Sequence, residues 1–387
     1  MKNPCGMVNA EGVMEPVRLR AESALPISHS PFPIRTGVTL VELLITMTIM
    51  AIIAAAVLGT AAGAIESARE KRTQMLITKI HALVMDHLAT YETRRVEVAP
   101  QIANAINSWA TAGTTPADMR ERNIARGQML ADARLLTLRE LMKKEMPDRW
   151  EDVTHVPVML TQAPPLAQTY FRRYQQIISH PERDTHAAAE CLYLFVMSAT
   201  GDGEARTLFS KQDIADTDGD GAPEFVDGWG RPIGWMRWAP GVTSDLQPRN
   251  PNGSRPSEVD HDPFDIYRRD TPTVTLPNIN LYPAVAANAT APSFRDVYQA
   301  NMRIRMMRAN GANMTHQIAY RLTPLIYSAG PDGSSDMLMI RADGLEVAPI
   351  DPYLAASTEG FIDGTQTGAP GPDGESKDNI TNHLIEY

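Results

Sequence analysis

Val38 to Ile65 reads VTLVELLITMTIMAIIAAAVLGTAAGAI, twenty-eight residues with a single charge, Glu42. A bilayer core of ~30 Å takes ~20 helical residues, so the run is long enough to cross it. As a helix it satisfies its own backbone hydrogen bonds, which hydrocarbon demands. Two other readings compete. A buried core helix rarely stays apolar on every face for this length. A secretory signal has a basic start and an apolar stretch of ~7–15 residues before a small-residue site. Here the stretch is longer and thirty-seven mostly polar residues precede it, although the Ala-rich 54–64 stretch mimics such a site. The run reads as one membrane-spanning helix.

Glu42 is the informative residue. A carboxylate within a span costs ~2.5–3.5 kcal/mol on insertion scales and marks a functional position by default. Snorkelling to the interface would explain the acid alone, but not why Gly37 stands five residues before it, after Ile34-Arg35-Thr36. The stretch Arg35-Thr36-Gly37-Val38-Thr39-Leu40-Val41-Glu42-Leu43-Leu44 resembles the N-terminal processing motif of type IV pilins and type II secretion pseudopilins. The resemblance implies that a prepilin peptidase cuts after Gly37 on the cytoplasmic side and that Val38 becomes the methylated N-terminus. It also implies that the span stays on the protein as the helix through which subunits assemble. Val38 stands where Phe or Met is usual. The 37-residue leader is longer than most, with Met7 and Met14 as alternative starts.

Cleavage would give Val38 a positive α-ammonium. In a filament the Glu42 carboxylate of one subunit can pair with the Val38 ammonium of its neighbour. An unpaired charge in a low-dielectric bundle is costly, so pairing selects one axial stagger. Tip subunits of such systems tend to lack the acid, and its presence speaks against that role. Arg18, Arg20 and Arg35 precede the span while Arg69, Lys71 and Arg72 follow it, so the positive-inside rule is nearly silent. Placement in the cytoplasmic (inner) membrane as a single-pass protein, leader inside and head in the periplasm or outside the cell, is implied by the resemblance.

The rest of the chain is of ordinary globular composition. Of 387 residues, 43% are apolar and 21% charged, which argues against global disorder and against a polytopic membrane protein. Thirty-six Lys and Arg against forty-six Asp and Glu leave a net charge of −10, so no nucleic-acid partner is expected. Two cysteines, Cys5 and Cys191, provide neither a disulfide framework nor a four-cysteine zinc site.

Helix is expected to continue past the membrane, because Ile77, Ile80, Val84, Leu88 and Tyr91 recur at steps of three and four. Residues 98–117 read as a connection rich in Ala, Thr and Asn. Further helices are expected over 117–144, stopped near Pro147, and over 166–179, 187–199 and 294–309, the last with a basic face read as solvated. Cys191 reads as an inert core residue. From about 200 the chain turns to Gly, Pro and Asp between short apolar runs, with strands expected at 232–238, 319–328 and 336–342 and a long excursion over 242–292. The expected class is α+β, with a long N-terminal helix, a helical middle and a small late antiparallel sheet carrying calcium-type loops. The divisions are a leader over 1–37, a transmembrane assembly helix over 38–65, a helical part of the head over 66–200 and a sheet and loop part over 201–387.

Asp216-Thr217-Asp218-Gly219-Asp220-Gly221-Ala222-Pro223-Glu224-Phe225-Val226-Asp227 places carboxylates at positions 1, 3, 5, 9 and 12 with Gly at 6. That is EF-hand loop spacing with Asp for the final Glu. Alternate residues of a tight loop can converge hard oxygens on calcium, making Asp216, Asp218, Asp220, Glu224 and Asp227 the candidate ligands. Pro223 and the following DGWG point to turn and strand and not to an EF-hand helix; the plain alternative is a soluble Asp/Gly turn.

Asp227-Gly228-Trp229-Gly230-Arg231-Pro232-Ile233 and Tyr327-Ser328-Ala329-Gly330-Pro331-Asp332-Gly333 resemble two segments of major pseudopilins, D-x-W-G-x-P and S-x-G-x-D-G. The second recurs as Gly371-Pro372-Asp373-Gly374. The resemblance implies a calcium loop after it, with Asp332 and Asp336, or Asp373 and Asp378, as ligands. The large helical stretch between about 98 and 200 departs from the compact major pseudopilin and suits a minor or specialised subunit better than a shaft subunit.

His186 and Glu190, one helical turn apart, read as a surface pair because HAAAE lacks the second His of the zinc protease motif. Asp260-His261-Asp262-Pro263 reads as a polar turn. No G-x-S-x-G, P-loop or G-x-G-x-x-G occurs. The expected function is a filament subunit without catalysis, its partners being the peptidase, other pilin or pseudopilin subunits and the membrane. The rival is a single-pass membrane-anchored hydrolase or binding protein.

Overall fold

The structure is a computed structural model that describes residues 37–157, 159–199, 204–247, 261–267, 320–338, 368–372 and 374–384. The chain divides into two compact units, Met1–Thr60 and Ala61–Tyr387. Helix α1 (Leu40–Ala89) begins in the first and ends in the second.

In the first unit Thr39 starts the helix. Its Oγ1 accepts the Glu42 N–H at 3.2 Å, while its own N–H and hydroxyl donate to Glu42 Oε2 at 2.9 and 3.0 Å. This reciprocal arrangement is a capping box. Inside the run, the hydroxyls of Thr46, Thr48 and Thr60 donate to the carbonyls of Leu43, Leu44 and Ala56 at 2.9, 2.7 and 3.2 Å. Such back-bonding hides the polar groups from an apolar medium. Leu43, Ile45, Ile49, Ile52 and Ile53 are all at least half exposed, so apolar surface covers every side of the helix. The segment is long and apolar enough to cross a membrane.

In the second unit α1 turns amphipathic. Leu76, Ile77, Ile80, Val84 and Leu88 are buried, and Tyr91 follows them in a 3-10 turn. They form the main core with Leu138, Leu141 and Met142 of α3 (Pro116–Glu145), Leu192, Phe195 and Val196 of α6 (Ala187–Ala199), and Phe209, Phe225, Trp235, Ile326 and Ile380. Before α3 lies α2 (Pro100–Thr111), where the sequence reading expected only a connection. Pro100 suits a first helical position, and Ile102, Ile106 and Trp109 lie on one buried stripe. The small and polar residues between them hid that stripe. α4 (Trp150–Thr154), α5 (Pro165–Ile177) and α7 (Glu204–Leu208) complete the described helices, and Trp150, Val153, Tyr170, Ile177, Cys191 and Leu194 form a second core. Cys191 is fully buried, which pushes its thiol pKa far up and leaves it inert.

The strands are short and late, giving an α+β class. β1 (Ile214–Ala215) pairs antiparallel with β2 (Glu224–Phe225), and β3 (Gly234–Met236), β4 (Leu325–Ser328) and β5 (Ile380–Thr381) form a three-stranded antiparallel sheet in that order. Alternation sorts its faces: Trp235, Ile326 and Ile380 join the main core, while Met236, Leu325 and Tyr327 pack with Ala239. β3 and β4 fall inside the runs 232–238 and 319–328. Of 336–342, the described part offers only an isolated bridge from Met337 to Pro370, and the remainder lies outside the described residues, as does the helix expected at 294–309.

Candidate functional site

The β1–β2 pairing makes the acidic run a hairpin loop, which is why no EF-hand helices flank it. Gly219 and Gly221 adopt φ of 78° and 99°, a left-handed backbone open to glycine at little cost. They let Asp216 turn the chain: Oδ1 accepts the Gly219 N–H at 2.8 Å and Oδ2 the Gly221 N–H at 3.1 Å. Asp218 Oδ1 and Asp220 Oδ1 accept from the N–H groups of Asp220 and Ala222 at 3.3 and 2.7 Å. Both oxygens of Glu224 accept from Thr217. The Oδ2 atoms of Asp218 and Asp220 are buried without a hydrogen-bond partner.

Glu190 closes this cradle from α6. It is 0% exposed, its Oε2 accepts the Trp150 indole N–H at 2.7 Å, and its Oε1 is buried and unpartnered. Carboxylate oxygens of Glu190, Asp218 and Asp220 lie within 4.8 Å of one another, and ligand atoms of His186, Asp218 and Glu224 form a second such group. Burial first, then the Asp220 charge, pushes the Glu190 carboxyl up to about 9. Burial likewise lifts Glu224 to about 7 and raises Asp220. The surface-pair reading of His186 and Glu190 is therefore corrected. Glu190 stands between Ala189 and Cys191 in an almost wholly apolar helix, and an acid in that setting was the available signal.

Asp227 is not brought to the cradle. Its Oδ1 accepts the N–H groups of Trp229 and Arg231 at 2.8 and 2.9 Å, and its Oδ2 the Ser328 hydroxyl at 2.6 Å. Asp332 Oδ1 accepts from the nearby Ser334 N–H, whereas Asp336 Oδ2 accepts from Gly374 N–H and Asp378 Oδ2 from Asp332 N–H, bonds that tie the turn after β4 to the segment before β5. Among the described residues they join no group of three potential ligands. Asp373 lies outside the described residues.

In the first unit Gly37 is exposed with open space around it, and Val38 is 71% exposed. Four residues on, Glu42 is held at the helix start by Thr39. Residues 34–58 match the family described as the prokaryotic N-terminal methylation motif. This N-terminus is of prepilin type. With the long apolar helix behind it, it fits a type IV pilin or pseudopilin. No curated protein and no solved structure matches the chain. The prepilin motif implies processing by a prepilin peptidase, assembly with other pilin subunits and single-pass anchoring in a membrane.

In the second unit, the two segments that resemble those of pseudopilins interlock. The Asp227–Ser328 bond joins them, and an Arg231 guanidinium N–H donates to the Gly330 carbonyl at 2.6 Å. The first segment also docks on α1, through Gly228 N–H to Thr73 Oγ1 at 2.9 Å and the Trp229 indole N–H to Glu66 Oε1 at 2.8 Å.

Proposed function

We propose that the chain is a structural, non-catalytic subunit of a type II secretion pseudopilus or a related type IV pilus-like filament, with its head in the periplasm or beyond. The observation that carries this reading is the single acid of the apolar run, Glu42, five residues after Gly37 within the matched motif. Cutting the Gly37–Val38 peptide bond frees an α-ammonium on Val38. Thr39 engages Glu42 through Oε2, and Oε1 meets the ammonium of the adjacent copy. The capping box holds the carboxylate at the end of the helix where that ammonium arrives, so the pair sets the stagger between subunits. The enlarged helical head favours a minor or specialised subunit.

Co-expression with a prepilin peptidase tests the first step. Mass spectrometry is expected to show loss of thirty-seven residues and a methylated Val38; a chain left uncut, or cut beyond the span, ends the filament reading. For the second step, Glu42→Ala is expected to insert in the membrane and be processed while filament incorporation drops at least tenfold. Incorporation at the wild-type level removes the registry role.

A further inference from the structure

We propose that the cradle between α6 and the β1–β2 loop is a calcium site in which Glu190 joins Asp218 and Asp220, fastening the hairpin to the helix. The proposal is independent of the filament reading. Glu190 Oε1, Asp218 Oδ2 and Asp220 Oδ2 are buried, lack hydrogen-bond partners, and belong to carboxylates converging within 4.8 Å. Glu190 and Asp220 are 0% and 8% exposed. Buried acceptors without donors are costly, and three carboxyls so placed cannot all ionise without a cation between them. A single cation at their meeting point satisfies all three.

The donors decide the class of ion. Carboxylate oxygens suit a hard cation, and the bond network of Asp216 and the two left-handed glycines already holds the loop in a tight curve around the site. Calcium takes six to eight oxygens in flexible geometry, whereas magnesium demands a near-ideal octahedron and keeps its waters. A nitrogen-ligated transition metal at His186, Asp218 and Glu224 fits less well, because both Glu224 oxygens already accept from Thr217 at 2.9–3.3 Å. Glu190 is held in advance: Trp150 fixes Oε2 and leaves Oε1 buried and unpartnered, as an outer partner orients a metal ligand.

The test uses the full chain in detergent, stripped with a chelator and titrated with CaCl2, MgCl2 and ZnCl2 by calorimetry and thermal denaturation. Calcium is expected to bind and raise Tm by several degrees, with magnesium at least tenfold weaker. Glu190→Gln and Asp218→Asn are each expected to weaken that site at least tenfold. A purely structural Glu190 predicts that Glu190→Gln lowers Tm with or without calcium. A ligand role predicts that metal-free Glu190→Gln melts no lower than wild type, because the neutral amide can still accept from Trp150. Should Glu190→Gln not fold, Asp218→Asn alone decides. Absence of calcium binding by wild type, zinc binding in its place, or wild-type calcium affinity in a folded variant overturns the proposal.

Discussion

Gly228 shows how closely the head is built onto α1. A Cβ at this position would lie 2.4 Å from the Arg69 carbonyl oxygen and 2.7 Å from the Arg69 Cα. Both are backbone atoms of a helix, which cannot step aside as a flexible side chain would. Gly228→Ala must therefore lift the Asp227–Pro232 turn off α1, stretching its bonds to Thr73 and Glu66. We expect a loss of ~1–3 kcal/mol, the usual range for overpacking, measured as a lowered urea midpoint at unchanged slope. The D-x-W-G-x-P resemblance singled out this segment, but its reason is a contact with a residue more than 150 positions earlier, which local sequence does not display.

Between elements, buried charge does what apolar packing does elsewhere. Asp152 on α4 is 3% exposed and accepts from Arg237, next to β3, at 2.9 Å and from Lys143 on α3 at 3.1 Å. Asp148 meets Arg237 at 3.5 Å and Arg149 at 3.1 Å. Burial favours the neutral acid, but Lys143, Arg237 and Arg149 outweigh it and hold the Asp152 carboxyl well below the usual range. Removing one partner of a buried set strands the others. Asp152→Asn is expected to cost ~3–5 kcal/mol by chemical denaturation, whereas Asp184→Asn, at the exposed Arg183 pair, should shift the midpoint immeasurably. The helices α1, α3, α5 and α6 were legible because each carries an apolar stripe or run of its own. α4 and the two-residue strands were not, since so short a stretch has no period to read and owes its form to its partners.

At the scale of the whole head, the C-terminal residues close the structure and make it sensitive to acid. Asn382 accepts from the Ile326 N–H at 2.7 Å and donates to the Pro324 carbonyl at 2.8 Å. Beside it His383 bonds Ser244 at 2.7 Å and the Pro324 carbonyl at 3.3 Å. Burial lowers the His383 pKa to about 4, against the opposing pull of the Pro324 and Thr323 carbonyls. The unfolded chain takes its proton near pH 6.5, before the folded one does. The His383 contribution is thus full above pH 6.5 and is lost as pH falls through about 4, while Glu190 and Glu224, raised to about 9 and about 7, act in the opposite direction. His155, also lowered to about 4 by burial and by Lys144, adds in the same direction as His383. The His383 share is up to ~3 kcal/mol. Between pH 7 and 4 the urea midpoint of wild type is expected to fall relative to that of His383→Gln measured at the same pH.

What belongs to the sequence alone is whatever depends on neighbours along the chain. The apolar run with its one acid after Gly37, the stripe from Ile77 to Tyr91 and the Asp/Gly loop are all properties of contiguous residues. Spanning length, helical period and turn chemistry act at that range. Tertiary structure decided which carboxylates meet: it sent Asp227 to Ser328 and brought Glu190 to Asp218 and Asp220. It also paired Met236 with Leu325, eighty-nine residues away. Those choices turn on burial and on distances between segments, quantities that exist only once the core has closed.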